Sequence, residues 1–467
     1  MRIAVVGSGY VGLVAAACFA ELGHDVLSVD SDAQKLERLN SGVLPIHEPL
    51  LAELLSRHHG RRLAFSSSVP RAVSSSEVIF IAVGTPATEN GEADLSYVEA
   101  VSREIAGCLD SYRLVVEKST VPILTNEWIR RTLLAEGAVP GSFDVASNPE
   151  FLREGNAVTD FLYPDRIVIG ADSEPASRLL RAIYEPLTSG SYARRRDAVP
   201  APEGARLPAP LISTTTKNAE LIKHASNAFL AMKISFANAV ANVCEGLGAD
   251  VVEVCRGIGT DSRIGPRFLQ PGIGFGGSCF PKDLLAFRAI AQERGYDFRL
   301  LEEVMRINDE QRRNFVRKVR KALWTLKGKR LAVLGLAFKG GTDDIRESPA
   351  IDLIRILLKE GTSIAAYDPA AMERAREEFG AGEIHLAQDP YQAAVGADAL
   401  LILTDWEEFA ALDLEHLRAA LKHPTIIDGR NLYDPEAMVA RGFTYYSVGR
   451  RDAVPAPATA VNAAKPS

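Results

Sequence analysis

The residues best suited to chemistry lie in the stretch GFGGSCFPKD, residues 274–283. Cys279 follows a glycine-rich run, and Lys282 and Asp283 come close behind it. A nearby cation favours the thiolate form of a cysteine, which is the nucleophilic form. A thiolate can add to an aldehyde, and the adduct can be oxidised to a thioester that water hydrolyses to an acid. The stretch therefore predicts a nucleophilic cysteine, with glycines that leave room for a substrate to reach it.

The remaining cysteines indicate neither a disulfide framework nor a metal site. Cys18, Cys244 and Cys255 lie in apolar helical patterns, where a buried and unreactive thiol is expected. With Cys108 and Cys279 they make five, an odd number without metal-ligand spacing. We therefore expect reduced thiols, no metal and a cytoplasmic location.

A second chemical motif, GSGYVG at residues 7–12, follows a predicted strand and opens a predicted helix. In a dinucleotide-binding turn, Gly7 permits the tight turn, Gly9 lets the pyrophosphate approach, and Gly12 lets the helix pack on the strand. The phosphates then face the amino terminus of the helix. Asp30 ends the second predicted strand, where a carboxylate binds ribose hydroxyls and repels a 2′-phosphate. The motif therefore predicts NAD rather than NADP.

Two further strand ends carry small and hydroxylated residues, VGTP at 83–86 and EKST at 117–120. Ligands of open α/β sheets bind at the carboxyl ends of parallel strands. Either motif taken alone is typical of an ordinary turn. Together they predict the wall of a nicotinamide pocket.

The elements that must position these residues alternate between β and α. We predict the α/β fold class, with two Rossmann-like doubly wound domains joined by a long central helix. The helix is predicted over 216–246, where helix-breaking residues are nearly absent. Apolar and small residues cover almost every face of that helix, so we expect it to pack on a partner subunit. Strands are predicted at 3–7, 25–30, 78–84, 114–120, 144–148, 330–338, 363–369, 399–406 and 425–430.

The same pattern predicts four regions along the chain. They are an NAD-binding Rossmann domain over 1–212 with a Pro/Ala-rich surface excursion at 191–212, a central helical and dimerisation region with the cysteine loop over 213–325, a second Rossmann-like domain over 326–449, and a flexible tail over 450–467. The octapeptide RRDAVPAP occurs at 195–202 and again at 450–457, and the sequence assigns it no role.

Composition excludes several classes of function. The net charge is −7, from 53 basic and 60 acidic residues, so general attraction to nucleic acid or to an anionic membrane is not expected. No apolar run reaches the ~18 residues of a membrane span. An anionic ligand must therefore be met by local basic residues.

Four long segments carry a further signal: NPEFLREG (148–155), AELIKHASNAFLAMKISFANAVANVCE (219–245), FLQPGIGFGGSCFPKD (268–283) and LGLAFKGGTDDIRESPA (334–350). They resemble the UDP-glucose/GDP-mannose dehydrogenase family, and its UDP-glucose branch most closely. The resemblance extends to about residue 445 and implies that UDP-glucose is oxidised twice at C6, with two NAD per turnover, to UDP-glucuronate.

The resemblance implies six catalytic residues. Cys279 matches the nucleophile. Lys223 and Asn227, one helical turn apart, match the pair that stabilises the developing oxyanions by hydrogen bonding. Three others handle protons, hold an ordered water or assist thioester hydrolysis: Asp283, Thr120 and Glu150.

It also implies that the domain over 326–449 binds the UDP-sugar, and it implies two sets of binding residues. The substrate set combines loop backbone with charges suited to a pyrophosphate: Glu150, Phe151, Leu152, Arg153, Glu154, Lys223, Asn227, Arg263, Phe268, Leu269, Gln270, Pro271, Gly272, Phe275, Gly276, Lys339 and Arg430. The cofactor set is Gly7, Gly9, Tyr10, Val11, Gly12, Asp30, Lys35, Gly84, Thr85, Pro86, Ser119, Thr120, Glu154, Lys282 and Arg346. Arg263 is implied to act across a homodimer interface formed by the long helix. Gln270 departs from the lysine that some members carry.

Three alternatives stay open. GDP-mannose or UDP-N-acetylmannosamine could be oxidised on the same architecture. A single-step, NAD-dependent hydroxyacid dehydrogenase would have two domains as well, but it would not need Cys279. A non-catalytic sensor of NAD or of a nucleotide sugar is disfavoured, because four residues suited to catalysis occur together: Cys279, Lys223, Asn227 and Asp283.

Overall fold

The structure is a computed structural model and describes residues 1–86, 93–380 and 382–455. It contains two compact units. The first comprises Met1–Ala228 and Lys282–Phe298, and the second comprises Phe229–Pro281 and the chain from Arg299 onward. Each unit is built on its own sheet, as the predicted α/β class requires.

The first unit contains eight strands: β1 Arg2–Val6, β2 Asp25–Val29, β3 Leu63–Ser66, β4 Val78–Ile81, β5 Arg113–Glu117, β6 Phe143–Ser147, β7 Ile167–Ala171 and β8 Leu211–Thr214. They form one sheet in the order β3-β2-β1-β4-β5-β6-β7-β8. The first six strands are parallel, β7 runs antiparallel to β6, and β8 is parallel to β7. The six parallel strands have the order of a dinucleotide-binding sheet.

Helices cover both faces of this sheet: α1 Tyr10–Glu21, α2 Ala33–Asn40, α3 Leu51–His58, α4 Val69–Ser75, α5 Ser96–Ala106, α6 Thr125–Ala135, α7 Ala157–Leu162 and α8 Glu174–Thr188. In β1, Ile3 and Val5 belong to one hydrophobic cluster, whereas Ala4 and Val6 belong to another. Successive side chains of a strand point to opposite faces, so burial on both faces explains the unbroken apolar run of β1.

The Pro/Ala-rich segment 191–212, expected as a surface excursion, contributes to the core of the first unit. Tyr192, Val199 and Ala209 are each at most 5% exposed, and a short 3-10 helix occupies Tyr192–Arg194. Residue composition alone did not indicate this, because small apolar residues are common in both linkers and cores.

A single helix, α9 Thr216–Leu247, follows the first sheet and is 32 residues long. At 1.5 Å per residue it extends over roughly 48 Å. In the sequence, this helix lies between the strands of the two Rossmann-like sheets, as predicted. Its residues up to Ala228 belong to the first unit and those from Phe229 to the second.

The second unit has six parallel strands: β9 Arg330–Leu334, β10 Ser363–Tyr367, β11 His385–Leu386, β12 Ala399–Ile402, β13 Thr425–Asp428 and β14 Thr444–Ser447. Their order, β11-β10-β9-β12-β13-β14, repeats the order of the first six strands of the other sheet. The remaining helices are α10 Val251–Gly259, α11 Phe280–Glu293, α12 Arg299–Leu323, α13 Pro349–Lys359, α14 Met372–Phe379, α15 Pro390–Ala394, α16 Glu407–Ala410, α17 Leu414–Ala420 and α18 Pro435–Ala440.

The predicted tail begins with contacts to the second unit. Arg450 pairs with Asp250 at 3.1 Å, and Ala453 forms an isolated antiparallel bridge with Tyr445. The rest of the predicted tail, 456–467, lies outside the described residues. Within the described part of the chain, no helix combines the length and apolarity that a membrane crossing requires.

Candidate active site

The glycine-rich turn between β1 and α1 has the shape that a dinucleotide needs. A β-carbon at Gly12 would lie 1.8 Å from the carbonyl oxygen of Gly7, so the close packing of the helix requires glycine there. Gly9 is exposed and has nothing within 4 Å of its would-be β-carbon. An open backbone at the amino terminus of α1 therefore fits a pyrophosphate.

Asp30 lies directly after β2, beside this turn. Its carboxylate accepts hydrogen bonds from the Ser8 N–H at 2.8 Å and the Asp32 N–H at 3.0 Å, and it pairs with Lys35 at 2.9 Å. Burial acts to raise the pKa of Asp30, but these hydrogen bonds and the Lys35 charge outweigh it and lower the pKa. The carboxylate is thus ionised and oriented, as an acceptor for ribose hydroxyls must be. Lys35, predicted as a cofactor contact, orients Asp30.

The predicted substrate segment 150–154 is tied to the same helix. The Gly155 N–H donates to the Tyr10 hydroxyl at 2.9 Å and to Glu48 Oε2 at 2.8 Å. The Tyr10 hydroxyl in turn donates to Glu48. Val11 is half-buried beside Tyr10. Glu48 had no predicted role, because its partners are distant in sequence.

Lys223 of α9 and Glu150 form a buried ion pair, with Nζ and Oε1 2.7 Å apart and both side chains at most 6% exposed. The second oxygen of Glu150 accepts from the Leu152 N–H at 2.6 Å. Burial acts to raise the pKa of Glu150, but the Lys223 charge and its hydrogen bond lower it overall. Glu150 is therefore a carboxylate at neutral pH. The structure brings these two predicted residues together.

Asn227 lies one helical turn after Lys223 and contacts Asp283 of α11. The Asn227 amide donates to Asp283 Oδ2 at 2.5 Å, and Asp283 is 1% exposed. The other oxygen, Oδ1, has no hydrogen-bond partner among the described residues. Thus α9 carries two buried pairs in the first unit, each of which joins a predicted oxyanion donor to a predicted carboxylate.

A chain of contacts links Lys282 to the loop after β5. The Lys282 ammonium donates to Thr85 Oγ1 at 2.8 Å and to the Thr85 carbonyl at 3.2 Å. The Thr85 hydroxyl donates to the Thr120 carbonyl at 2.9 Å. The flanking predicted cofactor residues Gly84 and Pro86 are exposed, and the Ser119 N–H donates to Glu117 at 2.6 Å.

Aromatic and ionic contacts hold the remaining residues of the segment 150–154. The Arg166 guanidinium lies 3.7 Å from the centre of the Phe151 ring, and the Lys223 ammonium lies 5.6 Å from it. Arg153 pairs with Asp160 at 2.6 Å, so this predicted substrate residue binds the following helix. Arg166 was not predicted.

Glu117, the last residue of β5, and Lys118, which follows it, are both buried. Burial raises the pKa of Glu117 to about 8, and it lowers the pKa of Lys118 to about 8. Lys118 donates to Asn148 Oδ1 at 3.0 Å. Within the described part of the chain, Glu117 Oε2 has no hydrogen-bond partner. Both belong to the motif EKST at 117–120, which was predicted to form part of the wall of a nicotinamide pocket, but neither was predicted to have an individual role.

The raised pKa of Glu117 predicts a pH-dependent stability. Between its ordinary value near ~4.3 and about 8, folded Glu117 keeps a proton that the unfolded chain has lost. Stability from this group is therefore present at low pH and is lost as pH rises through about 8. We expect Glu117→Gln to raise the thermal midpoint more at pH 8 than at pH 5, by scanning calorimetry. The exposed Glu37→Gln is the control, and equal shifts at both pH values would contradict the prediction.

In the second unit, two buried asparagines clamp the cysteine loop. Asn238 of α9 accepts the Gly272 N–H at 2.8 Å. Asn308 of α12 accepts the Phe275 N–H at 2.8 Å and donates to the Phe275 carbonyl at 3.0 Å. The loop backbone is therefore fixed before Cys279. Neither asparagine was predicted, because each is more than 30 residues from its partner.

The glycines of this loop serve a different purpose from the one predicted. A β-carbon at Gly276 would lie 2.1 Å from the Glu347 carbonyl oxygen, and one at Gly277 would lie 2.8 Å from the Phe338 ring. The neighbours that exclude side chains are therefore protein atoms. The prediction that the glycines leave room for substrate is corrected, since close packing of the loop is what requires them.

Cys279 is exposed and immediately precedes α11. The positive end of a helix dipole favours a thiolate. All five cysteines are free, and Cys18, Cys244 and Cys255 are buried. Their burial raises the pKa of each of these three thiols. Cys279 thus differs from them in exposure and in position.

The predicted charged residues of the second unit differ in their hydrogen-bond, aromatic and ion-pair partners. Arg430 donates to the Phe338 carbonyl at 2.8 Å and to the Leu403 carbonyl at 2.9 Å, and Lys339 lies 5.6 Å from the Phe338 ring centre. Arg346 pairs with Asp344, and Arg263 pairs with Asp261 and is 87% exposed. Of the predicted loop residues, Gln270 is exposed, Phe268 is half-buried, and Leu269 and Pro271 are buried.

Three consecutive parts of the chain match the UDP-glucose/GDP-mannose dehydrogenase family. Residues 1–188 match its NAD binding domain, 217–310 its central domain and 332–435 its UDP binding domain. A UDP-glucose 6-dehydrogenase of Bacillus subtilis (strain 168) is 45% identical over 450 residues, which cover 96% of this chain and 93% of that protein. One of Rhizobium meliloti (strain 1021) is 46% identical over 457 residues, 97% of this chain and 100% of that protein.

Among solved structures, a UDP-glucose dehydrogenase from the hyperthermophilic archaeon Pyrobaculum islandicum has a TM-score of 0.85 to this chain. It is 39% identical, and the match covers 96% of this chain and 98% of that one.

Proposed function

The chain belongs to the UDP-glucose/GDP-mannose dehydrogenase family, and we propose that it oxidises UDP-glucose twice at C6 to UDP-glucuronate. The observation that carries the proposal is the buried face of α9. There Lys223 pairs with Glu150 and Asn227 pairs with Asp283, which sets two donors and two carboxylates together. Curated relatives with UDP-glucose 6-dehydrogenase activity in their names, at 45% and 46% identity, support UDP-glucose as the substrate.

The cofactor is NAD, held by the turn between β1 and α1. The pyrophosphate would bind this turn at Gly9, and the ionised Asp30 carboxylate would accept hydrogen bonds from the ribose hydroxyls. When NAD is bound, its nicotinamide accepts a hydride from C6 in each of two oxidations. We propose that Thr85, Thr120 and Lys282 line the nicotinamide end, since their contacts fix the strand ends after β4 and β5.

In the first oxidation, the C6 hydroxyl loses a proton as C6 loses a hydride, and an aldehyde forms. We assign the stabilisation of the developing negative oxygen to Lys223 and Asn227, which are both donors on one helix face. Their carboxylate partners hold them in place before substrate arrives. Asp283, through an ordered water near Thr120, would receive the proton.

In the second oxidation, the Cys279 thiolate adds to the aldehyde carbon and a C–S bond forms. The resulting thiohemiacetal, formed as its alkoxide, loses a hydride and becomes a thioester. Water then attacks the thioester carbon and gives up its protons, the C–S bond breaks, the Cys279 thiolate is regenerated, and the carboxylate product is released. Glu150, ionised at neutral pH, can accept the proton of that water. The overall change consumes one water and two NAD and releases two NADH and three protons.

The basic residues of the second unit suit the diphosphate of the substrate. Lys339 and Arg430 lie near one aromatic residue, Phe338, and a local cationic group can bind a pyrophosphate despite the net negative charge of the chain. We propose that they and the clamped loop 268–276 bind the UDP part.

The substrate is tested by comparing kcat/KM for UDP-glucose, GDP-mannose and UDP-N-acetylmannosamine with NAD in excess. We expect UDP-glucose to be preferred by at least about 100-fold, which corresponds to roughly 2.7 kcal/mol of transition-state discrimination. A higher kcat/KM for either other sugar nucleotide would contradict the assignment. Oxidation that stops at the aldehyde would favour a single-step dehydrogenase.

We further propose that the chain forms a homodimer through α9, with Arg263 reaching the partner. Phe229, Phe236, Val243 and Leu247 are all more than 50% exposed and recur at intervals of seven, seven and four residues. Such spacing places them along one side of a helix. Burying this apolar stripe against the same stripe of a second copy would remove it from water.

The free thiols support a reducing, cytoplasmic location.

Charge on this stripe should disrupt the dimer. We expect Phe236→Glu combined with Val243→Asp to shift the mass measured by light scattering from a dimer to the 50.5 kDa protomer at micromolar concentration. Two charges in an apolar interface cost several kcal/mol if they stay unpaired. Trp324→Glu is the matched control, because Trp324 is 93% exposed and lies outside α9. Unchanged mass in the double variant would argue against this interface.

A further inference from the structure

His224 lies on the buried face of α9 between Lys223 and Asn227, but neither sequence motif nor proposed chemistry gives it a role. It is 1% exposed, and its Nε2 lies 2.7 Å from the Val121 carbonyl oxygen. A carbonyl can only accept, so Nε2 carries the proton. Within the described part of the chain, Nδ1 has no hydrogen-bond partner. The contact with Val121 is therefore the one that fixes the ring.

The carbonyl of the preceding residue, Thr120, is held by a side chain from a different part of the first unit. The Thr85 hydroxyl, in the loop after β4, donates to the Thr120 carbonyl at 2.9 Å. Two successive peptide carbonyls, those of Thr120 and Val121, are thus fixed by side chains from separate parts of the first unit. Pro122 follows and fixes its own φ angle. With these constraints the backbone at Thr120 and Val121 has little freedom to rotate.

Burial keeps the ring of His224 neutral. Burial lowers the pKa of His224, and the positive charges of Lys223 and Lys282 lower it further, while the charge of Asp283 acts in the opposite direction. The ring of Phe287, from α11, lies 6.1 Å from the imidazole centre and offers no charge. A neutral ring keeps one proton, and the Val121 carbonyl holds that proton on Nε2.

We propose that His224 is a positioning residue that sets the orientation of Thr120 by holding the Val121 carbonyl. This inference rests on the proposed role of Thr120 in the reaction. His224 need not touch substrate or cofactor. It connects the helix that carries Lys223 and Asn227 to the loop that carries Thr120, so that both parts of the site keep a fixed separation.

The test compares two replacements of His224. His224→Gln keeps an N–H donor at about the same reach as Nε2, whereas His224→Leu removes it at similar volume. We expect His224→Leu to lower kcat about tenfold with little change in the KM for UDP-glucose, and His224→Gln to keep most of the activity. Hydrogen exchange of residues 119–124 should accelerate in His224→Leu only.

A double-variant cycle with Thr120→Ala separates positioning from general damage. If His224 acts through Thr120, His224→Leu changes kcat less than about twofold in the Thr120→Ala background. Fully additive losses, or unchanged exchange of residues 119–124 in His224→Leu, would overturn the proposal. If Thr120→Ala alone keeps full turnover, the role of Thr120 fails and this inference with it. Turnover of UDP-glucose by the unaltered chain tests the proposed function separately.

Discussion

Replacing Cys279 by alanine is expected to abolish the formation of UDP-glucuronate, by more than about 10³-fold. Without the thiol, no carbon–sulfur bond forms, so the aldehyde has no covalent route to the thioester. NADH production should fall to at most one equivalent per UDP-glucose consumed. The measurement is separation and quantification of UDP-glucose, aldehyde and acid after exhaustive reaction.

The control for this prediction is Cys108→Ala, which removes another thiol that is free and not fully buried. We expect it to keep both oxidations. Brief treatment with iodoacetamide should modify Cys279 first, because it is exposed and precedes a helix, and activity should fall in parallel. Acid formation by Cys279→Ala at the normal rate would remove the thioester from the mechanism.

The second large effect is expected at Lys223. Lys223→Met should lower kcat by about 10² to 10³-fold, because it removes a buried donor to the oxygen that gains negative charge. It also leaves Glu150 buried without its cation, which costs about 3–5 kcal/mol in stability. Steady-state kinetics and thermal unfolding should be measured on the same preparation.

Matched controls separate the loss of a donor from the loss of stability. Lys217→Met removes another lysine of α9, one whose side chain is 60% exposed, and should leave kcat within about twofold. Affinity for NAD, measured by calorimetry, should survive in Lys223→Met if the first unit is still folded. A kcat close to that of the original chain in Lys223→Met would contradict the assigned role.

Much of the fold could be predicted from local pattern. Runs such as IAVVG at 3–7 correspond to β1 Arg2–Val6, and the breaker-free stretch 216–246 corresponds to α9 Thr216–Leu247. Strand ends were less accurate, since β4 stops at Ile81 rather than continuing to 84. Hydrogen-bond pairing in the sheet, which local pattern does not contain, sets where a strand ends.

The antiparallel strand β7 Ile167–Ala171 and its neighbour β8 were not predicted. IVIGA is short and apolar, and its pairing with β6 joins residues 23 and 25 positions apart, Ser147 with Gly170 and Ala146 with Ala171. Similarly, the burial of Tyr192 and Val199 depends on distant parts of the first unit. Sequence composition has no information on such contacts.

Most predicted site residues lie in segments that resemble the family, such as Lys223 and Asn227 in 219–245. The unpredicted residues are linked to the site by contacts across long stretches of chain. Arg166 stacks on Phe151, and Asn308 clamps Phe275. A buried asparagine or arginine has no distinguishing pattern in one sequence, so only the folded structure identifies these supports.

The central claim is tested most directly by the number of NADH molecules produced for each UDP-glucose consumed. The reaction is followed to completion by absorbance, with NAD in excess and residual UDP-glucose quantified. Two oxidations at C6 through a Cys279 thioester predict a ratio near two, with UDP-glucuronate as the product. A ratio near one, with the aldehyde accumulating, would contradict it.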